Sequence, residues 1–182
     1  MIREIIAADY DNLMKLYTQL HDNPIPKETA EIKEIWDRIL HDRNHHIIVA
    51  EEDGKLVSSC VCVIIPNLTH KQRPYALLEN VITDENYRRK GLATRCLDFA
   101  KEIAIAENCY KIMLLTGSKK ESTLNFYRKA GFNSEDKTAF IQGFKCFSSS
   151  PSADGRPHKA FSVCHKLGKC LLPVLFKTRQ NL

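Results

Sequence analysis

The apolar positions of the first 142 residues follow two periods, and each predicts its own kind of element. Residues 2–6, IREII, form a short strand candidate. Tyr10, Leu13, Leu16, Tyr17 and Leu20 recur every three or four positions, which predicts a helix capped by Asp9. The turn-rich run His21-Asp22-Asn23-Pro24-Ile25-Pro26 ends it. A second helix carries Ile32, Ile35, Trp36, Ile39 and Leu40 on one face. Residues 45–51 and 55–65 read as strands that meet at Asp53-Gly54, a pair suited to a tight hairpin turn. His45-His46, at the head of the first strand, reads as a turn cap. Pro66 to Pro74 is a loop, and Tyr75–Thr83 is the next strand.

The second half changes rhythm. Leu92, Cys96, Phe99, Ile103 and Ala106 mark a long helix behind the basic stretch Arg88-Arg89-Lys90-Gly91. Cys109–Leu115 is an apolar run that follows a helix, so a strand parallel to the previous one is expected. Ser118 and Glu121 make a capping box for a helix ending at Ala130-Gly131, where glycine suits the left-handed position past the last turn. Lys137–Gln142 is the last strand candidate. Antiparallel neighbours first and helical crossovers later predict an α/β (α+β) domain on one mixed sheet. Beyond Gly143 the periodicity stops, so the boundary is placed at 142 and residues 143–182 read as a basic, poorly ordered extension.

Composition narrows the class. Of 182 residues, 43 % are hydrophobic and 27 % charged, which is ordinary for a globular chain. No run approaches the length of a transmembrane helix, and MIREIIAADYDNLM does not resemble a secretory signal. The seven cysteines, an odd number, read as reduced thiols of a cytoplasmic protein. The net charge of +5 is uneven: residues 143–182 hold seven of the 27 Lys and Arg but one of the 22 acids. The first 142 residues therefore carry 20 bases against 21 acids, which gives no electrostatic reason for them to bind nucleic acid or a membrane. A nucleic-acid function would have to reside in the tail. Cys60 and Cys62, between valines on a strand, read as core packing, and Cys146, His158, Cys164, His165 and Cys170 lack the paired spacing of a zinc site. No metal is expected.

The segment Thr83 to Thr94 concentrates the chemistry. A strand ends, a loop with Arg88, Arg89, Lys90 and Gly91 follows, and a helix opens. A helix N-terminus offers unpaired N–H groups and the positive end of a dipole. Glycine lets backbone approach a ligand closely. Two readings stay open on these grounds: a cradle for pyrophosphate, or a solvated basic turn with a helix-start glycine. The Walker A ending and the three glycines of a dinucleotide fingerprint are both missing.

Arg88-Arg89-Lys90-Gly91-Leu92-Ala93 resembles the R/Q-x-x-G-x-G/A signature of the GNAT superfamily of acyl-CoA-dependent N-acetyltransferases. LLENVIT (Leu77–Thr83) resembles the fourth strand of that family, and NFYRKAGF (Asn125–Phe132) resembles the helix and turn beside its coenzyme. The resemblance covers residues 2–142. It implies a mixed sheet with two central parallel strands splayed around acetyl-CoA. It further implies that the backbone of Val81, Ile82 and Thr83 pairs with the acetyl and pantetheine amides. The motif opens at Arg88, and the amides of Arg89, Lys90, Gly91, Leu92, Ala93 and Thr94 would hold the pyrophosphate. Asn125 would touch the coenzyme and Tyr127 would sit near its sulfur.

Tyr127 can then serve as the acid that protonates the leaving thiolate, or simply pack beside Phe126. Glu79, the one acid between Pro74 and Thr83, can take a proton from the attacking ammonium or merely face solvent. On a regular strand Asn80 would point to the opposite face from Glu79. His21, Asp22, Arg73 and Tyr75 are candidate substrate contacts. CYKIML and FYRKAGF are similar to the glucosamine-6-phosphate N-acetyltransferase branch, which favours a small polar primary amine as acceptor. A protein amine and a non-catalytic acyl-CoA-binding module are the alternatives, and a homodimer is the assembly that the family suggests.

Overall fold

A computed structural model describes residues 1–20 and 24–143. Its elements are β1 (Ile2–Glu4), α1 (Tyr10–Tyr17), α2 (Ala30–His41), β2 (His45–Glu52), β3 (Lys55–Ile65), β4 (Tyr75–Thr83), α3 (Leu92–Ala106), β5 (Ile112–Leu114) and α4 (Glu121–Lys129). All nine lie within a compact unit of residues Met1–Ala139. The five strands form one mixed sheet in sequence order. β1 to β4 are antiparallel neighbours, and β5 runs parallel to β4 after the α3 crossover.

β2 and β3 are central strands covered on both faces, which explains their near-continuous apolar runs. Ile48, Ala50, Cys60, Cys62, Ile64, Ala76 and Leu78 pack against Leu92, Cys96, Leu97, Ala100 and Ala104 of α3. Ile47, Val49 and Val61 point the other way, onto Leu13 of α1 and Trp36 of α2. Each large aliphatic side chain buried in these layers contributes about 1.5–3 kcal/mol. The β2–β3 turn has Asp53 at φ 50° and Gly54 at φ 73°, the left-handed pair that a two-residue hairpin needs.

The feature that shapes the site lies in β4. Its pairing with β5 covers only Ala76, Leu78 and the residue between them. Past Leu78, β4 runs on to Thr83 while β5 has ended at Leu114. At the same point β4 bulges against β3: the register shifts between Ser59 and Val61, and Asn80 takes φ 51°. The sheet therefore opens between β4 and β5 just beyond a kink.

Several local expectations change. Asp9 does precede α1, but its side chain caps nothing there. Its carboxylate instead receives Arg3 at 2.6 and 2.9 Å and the Ile6 amide at 2.9 Å. Ile35 is 40 % exposed, because α2 turns only Trp36 fully inward. The buried stripe of α3 is Leu92, Cys96, Leu97, Ala100 and Ala104, with Ala106 exposed. Ser118 and Glu121 form no capping box; α4 starts after Lys120, and Ser118 Oγ lies 3.2 Å from Thr123 Oγ1. His45 and His46 stand inside β2 and cap no turn. Residues 137–142 form no strand.

Candidate active site

Where β4 leaves β5, a cavity of about 530 Å³ opens between β4, the N-terminus of α3 and the first turns of α4. Val81, Ile82 and Thr83 form its β wall. Arg88, Arg89, Gly91, Leu92, Ala93 and Thr94 form the rim above it, and Tyr127 stands at its α4 side. The cavity thus brings together ten of the thirteen residues that the sequence offers as coenzyme-binding or catalytic candidates. Lys90, Asn125 and Glu79 are not among its lining. Lys90 Nζ lies 4.5 Å over the Tyr87 ring. Asn125 is exposed and accepts a hydrogen bond from Arg128 at 3.0 Å.

The strand backbone divides its polar groups. The Asp84 amide donates to Val57 O at 2.9 Å. Antiparallel pairing alternates along a strand, so Ile82 also turns its amide and carbonyl toward β3. Val81 and Thr83 turn theirs to the edge that β5 has vacated. Ser58 Oγ donates to Ile82 O at 2.8 Å, which spends its only proton, so Thr83 Oγ1 donates to Ser58 Oγ at 2.8 Å. These bonds fix the wall. By this alternation Val81 and Thr83 present backbone groups at the vacated edge, and Ile82 presents its own to β3.

At the rim Gly91 opens α3 at φ 75°, ψ 6°, with no side-chain cap on the helix. The amides of the first turn are left without an intrahelical acceptor and face the cavity rim. Arg89 takes φ 64°, and Arg88 is tethered through its Nε to Thr83 O at 3.3 Å. One loop therefore gathers two guanidinium groups, a helix dipole and unpaired N–H groups. That combination suits a pyrophosphate.

Tyr127 stacks against Phe126 with centroids 4.9 Å apart, and Phe132 meets it edge-on at 6.3 Å. Burial, then the neighbouring Cys60 thiol, push the phenol above its ordinary value. The hydroxyl stays protonated at neutral pH and available as a donor. Glu79 is exposed and pairs with Val61, whose side chain faces α1 and α2. Tyr127 packs on the α3 layer. Cross-strand partners share a face, so acid and base candidates stand on opposite faces of the sheet. Cys60, Cys62 and Cys96 are buried thiols in the α3 layer. Burial raises Cys60 strongly, Cys62 to about 12 and Cys96 to about 11. Among the described residues no three His, Cys, Asp or Glu side chains gather as metal ligands.

Arg73 and Tyr75 do not join the site. They stand at the opposite end of β4, where Arg73 binds Asn108 O at 3.0 Å and Cys109 O at 2.8 Å, and Tyr75 meets Tyr110. His21 and Asp22 lie outside the described residues. The sequence reading missed Ser122 and Thr123, which line the cavity from the first turn of α4. Their signal was present: a helix N-terminus four residues upstream of Asn125.

The sequence model of the Acetyltransferase (GNAT) family matches residues 10–132. Spermidine N(1)-acetyltransferase of Escherichia coli (strain K12) is 30 % identical over 118 residues, 63 % of this chain and 61 % of that protein. The chain thus matches less than two thirds of the length of that relative. Glucosamine 6-phosphate N-acetyltransferase of Trypanosoma brucei brucei is 32 % identical over 137 residues, 75 % of this chain and 90 % of the relative. A solved structure from Agrobacterium tumefaciens str. C58, classed as an acetyltransferase, superposes with a TM-score of 0.73 at 34 % identity, covering 79 % of this chain and 99 % of the other. No helix among the described residues is long and apolar enough to cross a membrane. With the open β4 edge, the Gly91 loop and the match over residues 10–132, the chain belongs to the GNAT family of acetyltransferases.

Proposed function

We propose that the chain transfers an acetyl group from acetyl-CoA to the primary amine of a small polar metabolite, by direct attack in a ternary complex in the cytoplasm. One observation carries the reading. The cavity joins a pyrophosphate-type cradle at Arg88 to Thr94 to a strand edge at Val81 and Thr83 that has no neighbouring strand, with a protonated phenol beside that edge. An adenylate-pantetheine thioester has that order of groups: anionic at one end, amide-bearing along its arm and reactive at the tip.

When bound, acetyl-CoA supplies an activated acyl group and a thiolate leaving group. The chain supplies position and charge stabilisation. The edge groups of Val81 and Thr83 would align the arm as a β-strand aligns its neighbour. Tyr127 would donate a hydrogen bond to the departing sulfur. Glu79, on the other face, would take the ammonium proton before attack. A nucleophile arriving on one face while the leaving group departs on the other requires the open sheet that the β4 kink creates.

Titration calorimetry with acetyl-CoA, followed by thiol release with spermidine, glucosamine 6-phosphate and a lysine peptide, tests the reading. Micromolar binding with turnover of a small amine is the expected result. Turnover confined to the peptide would move the acceptor to protein amines. No binding by the folded chain would end the enzyme reading.

A further inference from the structure

The kink in β4 has a second side. On the α1 face, the Tyr17 hydroxyl lies beside Ser59 and the Asn80 side chain, close enough for both to affect its ionisation. Yet Tyr17 Oη and Ser59 Oγ are both buried and complete no hydrogen bond. A buried polar atom left unpaired costs about 1–3 kcal/mol, and folded proteins rarely tolerate two side by side without a use. Both lie near Asn80, the residue with left-handed backbone at the bulge, which follows Glu79 along β4.

Asn80 links the buried pair to the outside. It is exposed, and its φ of 51° turns it out of the strand alternation that would have sent it to the α3 face. A carboxamide has donors on one side and an acceptor on the other. If its Nδ2 donates to Tyr17 Oη and the Tyr17 hydroxyl donates to Ser59 Oγ, both orphan oxygens are satisfied. Asn80 Oδ1 is then left facing outward, beside the Glu79 carboxylate. An outward carbonyl oxygen next to a carboxylate recognises an ammonium group.

Resting on the acetyltransferase reading above, we propose that Asn80 is the acceptor-binding residue, its carboxamide set by Tyr17 and Ser59 to receive the incoming primary ammonium beside Glu79. Asn80 would touch substrate. Tyr17 and Ser59 are positioning residues that act through it. The acceptor class is a primary ammonium approaching from the α1 face, opposite the face where Tyr127 packs.

The test uses three variants of the full chain: Asn80→Gly, Tyr17→Phe and the double variant. Glycine keeps the left-handed backbone while deleting the carboxamide. A hydrogen bond to a charged group sets the scale, so Asn80→Gly should raise the amine KM about tenfold or more, with the acetyl-CoA Kd nearly unchanged. Tyr17→Phe should raise the same KM by a smaller factor, and on the Asn80→Gly background it should add almost nothing. The melting temperature is read beside KM: loss of a merely structural hydroxyl would lower the melting temperature and leave KM alone. If wild type acetylates an amine and neither variant moves its KM, the assignment is overturned and the enzyme reading stands. If wild type binds acetyl-CoA but acetylates no amine of the panel, the enzyme reading has failed and the assignment falls with it.

Discussion

Gly91 offers the sharpest quantitative test of the cradle. It opens α3 in the left-handed region, and a Cβ added there would meet no heavy atom within 4 Å. The cost of an added side chain is therefore backbone strain of about 1–2 kcal/mol. That strain falls on free and loaded protein alike, so it lowers stability and leaves affinity nearly untouched. A carboxylate adds a second cost that falls on binding alone. For a pyrophosphate of about two charges, roughly 6 Å away in an effective dielectric of about 40, the repulsion is about 3 kcal/mol. That corresponds to about a hundredfold in Kd. Gly91→Ala should thus melt about 2–8 °C lower and still bind. Gly91→Glu should melt similarly and lose about a hundredfold in acetyl-CoA affinity, less at high salt because the repulsion is screened. Calorimetric titration of wild type and both variants at two ionic strengths reads all of this. Gly91→Glu binding within about threefold of Gly91→Ala would refute the cradle, because no pyrophosphate could then lie there.

Tyr127→Phe should lower kcat about 10- to 100-fold with little change in either KM, and because the phenol is held above its ordinary value, its contribution should persist as pH rises through about 10; an unchanged kcat removes the acid role. Asp9, whose pKa is lowered mainly by Arg3, contributes stability that is present above the ordinary carboxylate value and is lost as pH falls through its own lower one. Asp9→Asn should therefore cost about 2–3 kcal/mol at neutral pH and flatten the acid limb of a denaturation series, and an unaltered acid limb would contradict this. Deleting residues 143–182 should leave acetyl-CoA affinity nearly intact; a large loss would show that the boundary at 142 is misplaced.

What the sequence reveals here is mostly chemistry that one residue or one segment expresses by itself. Asp53-Gly54 announces its turn because two left-handed residues are needed and those two tolerate it. Gly91 and Gly131 mark helix ends for the same reason. The basic loop is visible as three cations before a helix. The β4 bulge is not visible, because ENVIT reads only as the end of a strand and a bulge is an event between two strands. Only the register of β4 on β3 expresses it, and that register decides which face Glu79 and Asn80 occupy. Asp9 illustrates the same limit. Its type and place predict a cap, but Arg3 offers a stronger, bidentate partner from a neighbouring element. Residues 137–142 carry a short apolar run that reads as a strand, yet such a run supplies no ladder to pair with.

Cys60 adds a chemical consequence of its position. Its thiol lies near enough to Tyr127 to oppose ionisation of the phenol, so it stands close to where a thioester would be handled. Only a thiolate attacks acyl or disulfide sulfur chemistry at a useful rate. With its thiol held far above neutral by burial, and Cys96 beside it at about 11, both remain un-ionised in the cell's pH range. If the cavity handles a thioester as proposed, thiols held un-ionised beneath it would not take its acyl group, which would stay available to an amine arriving from outside.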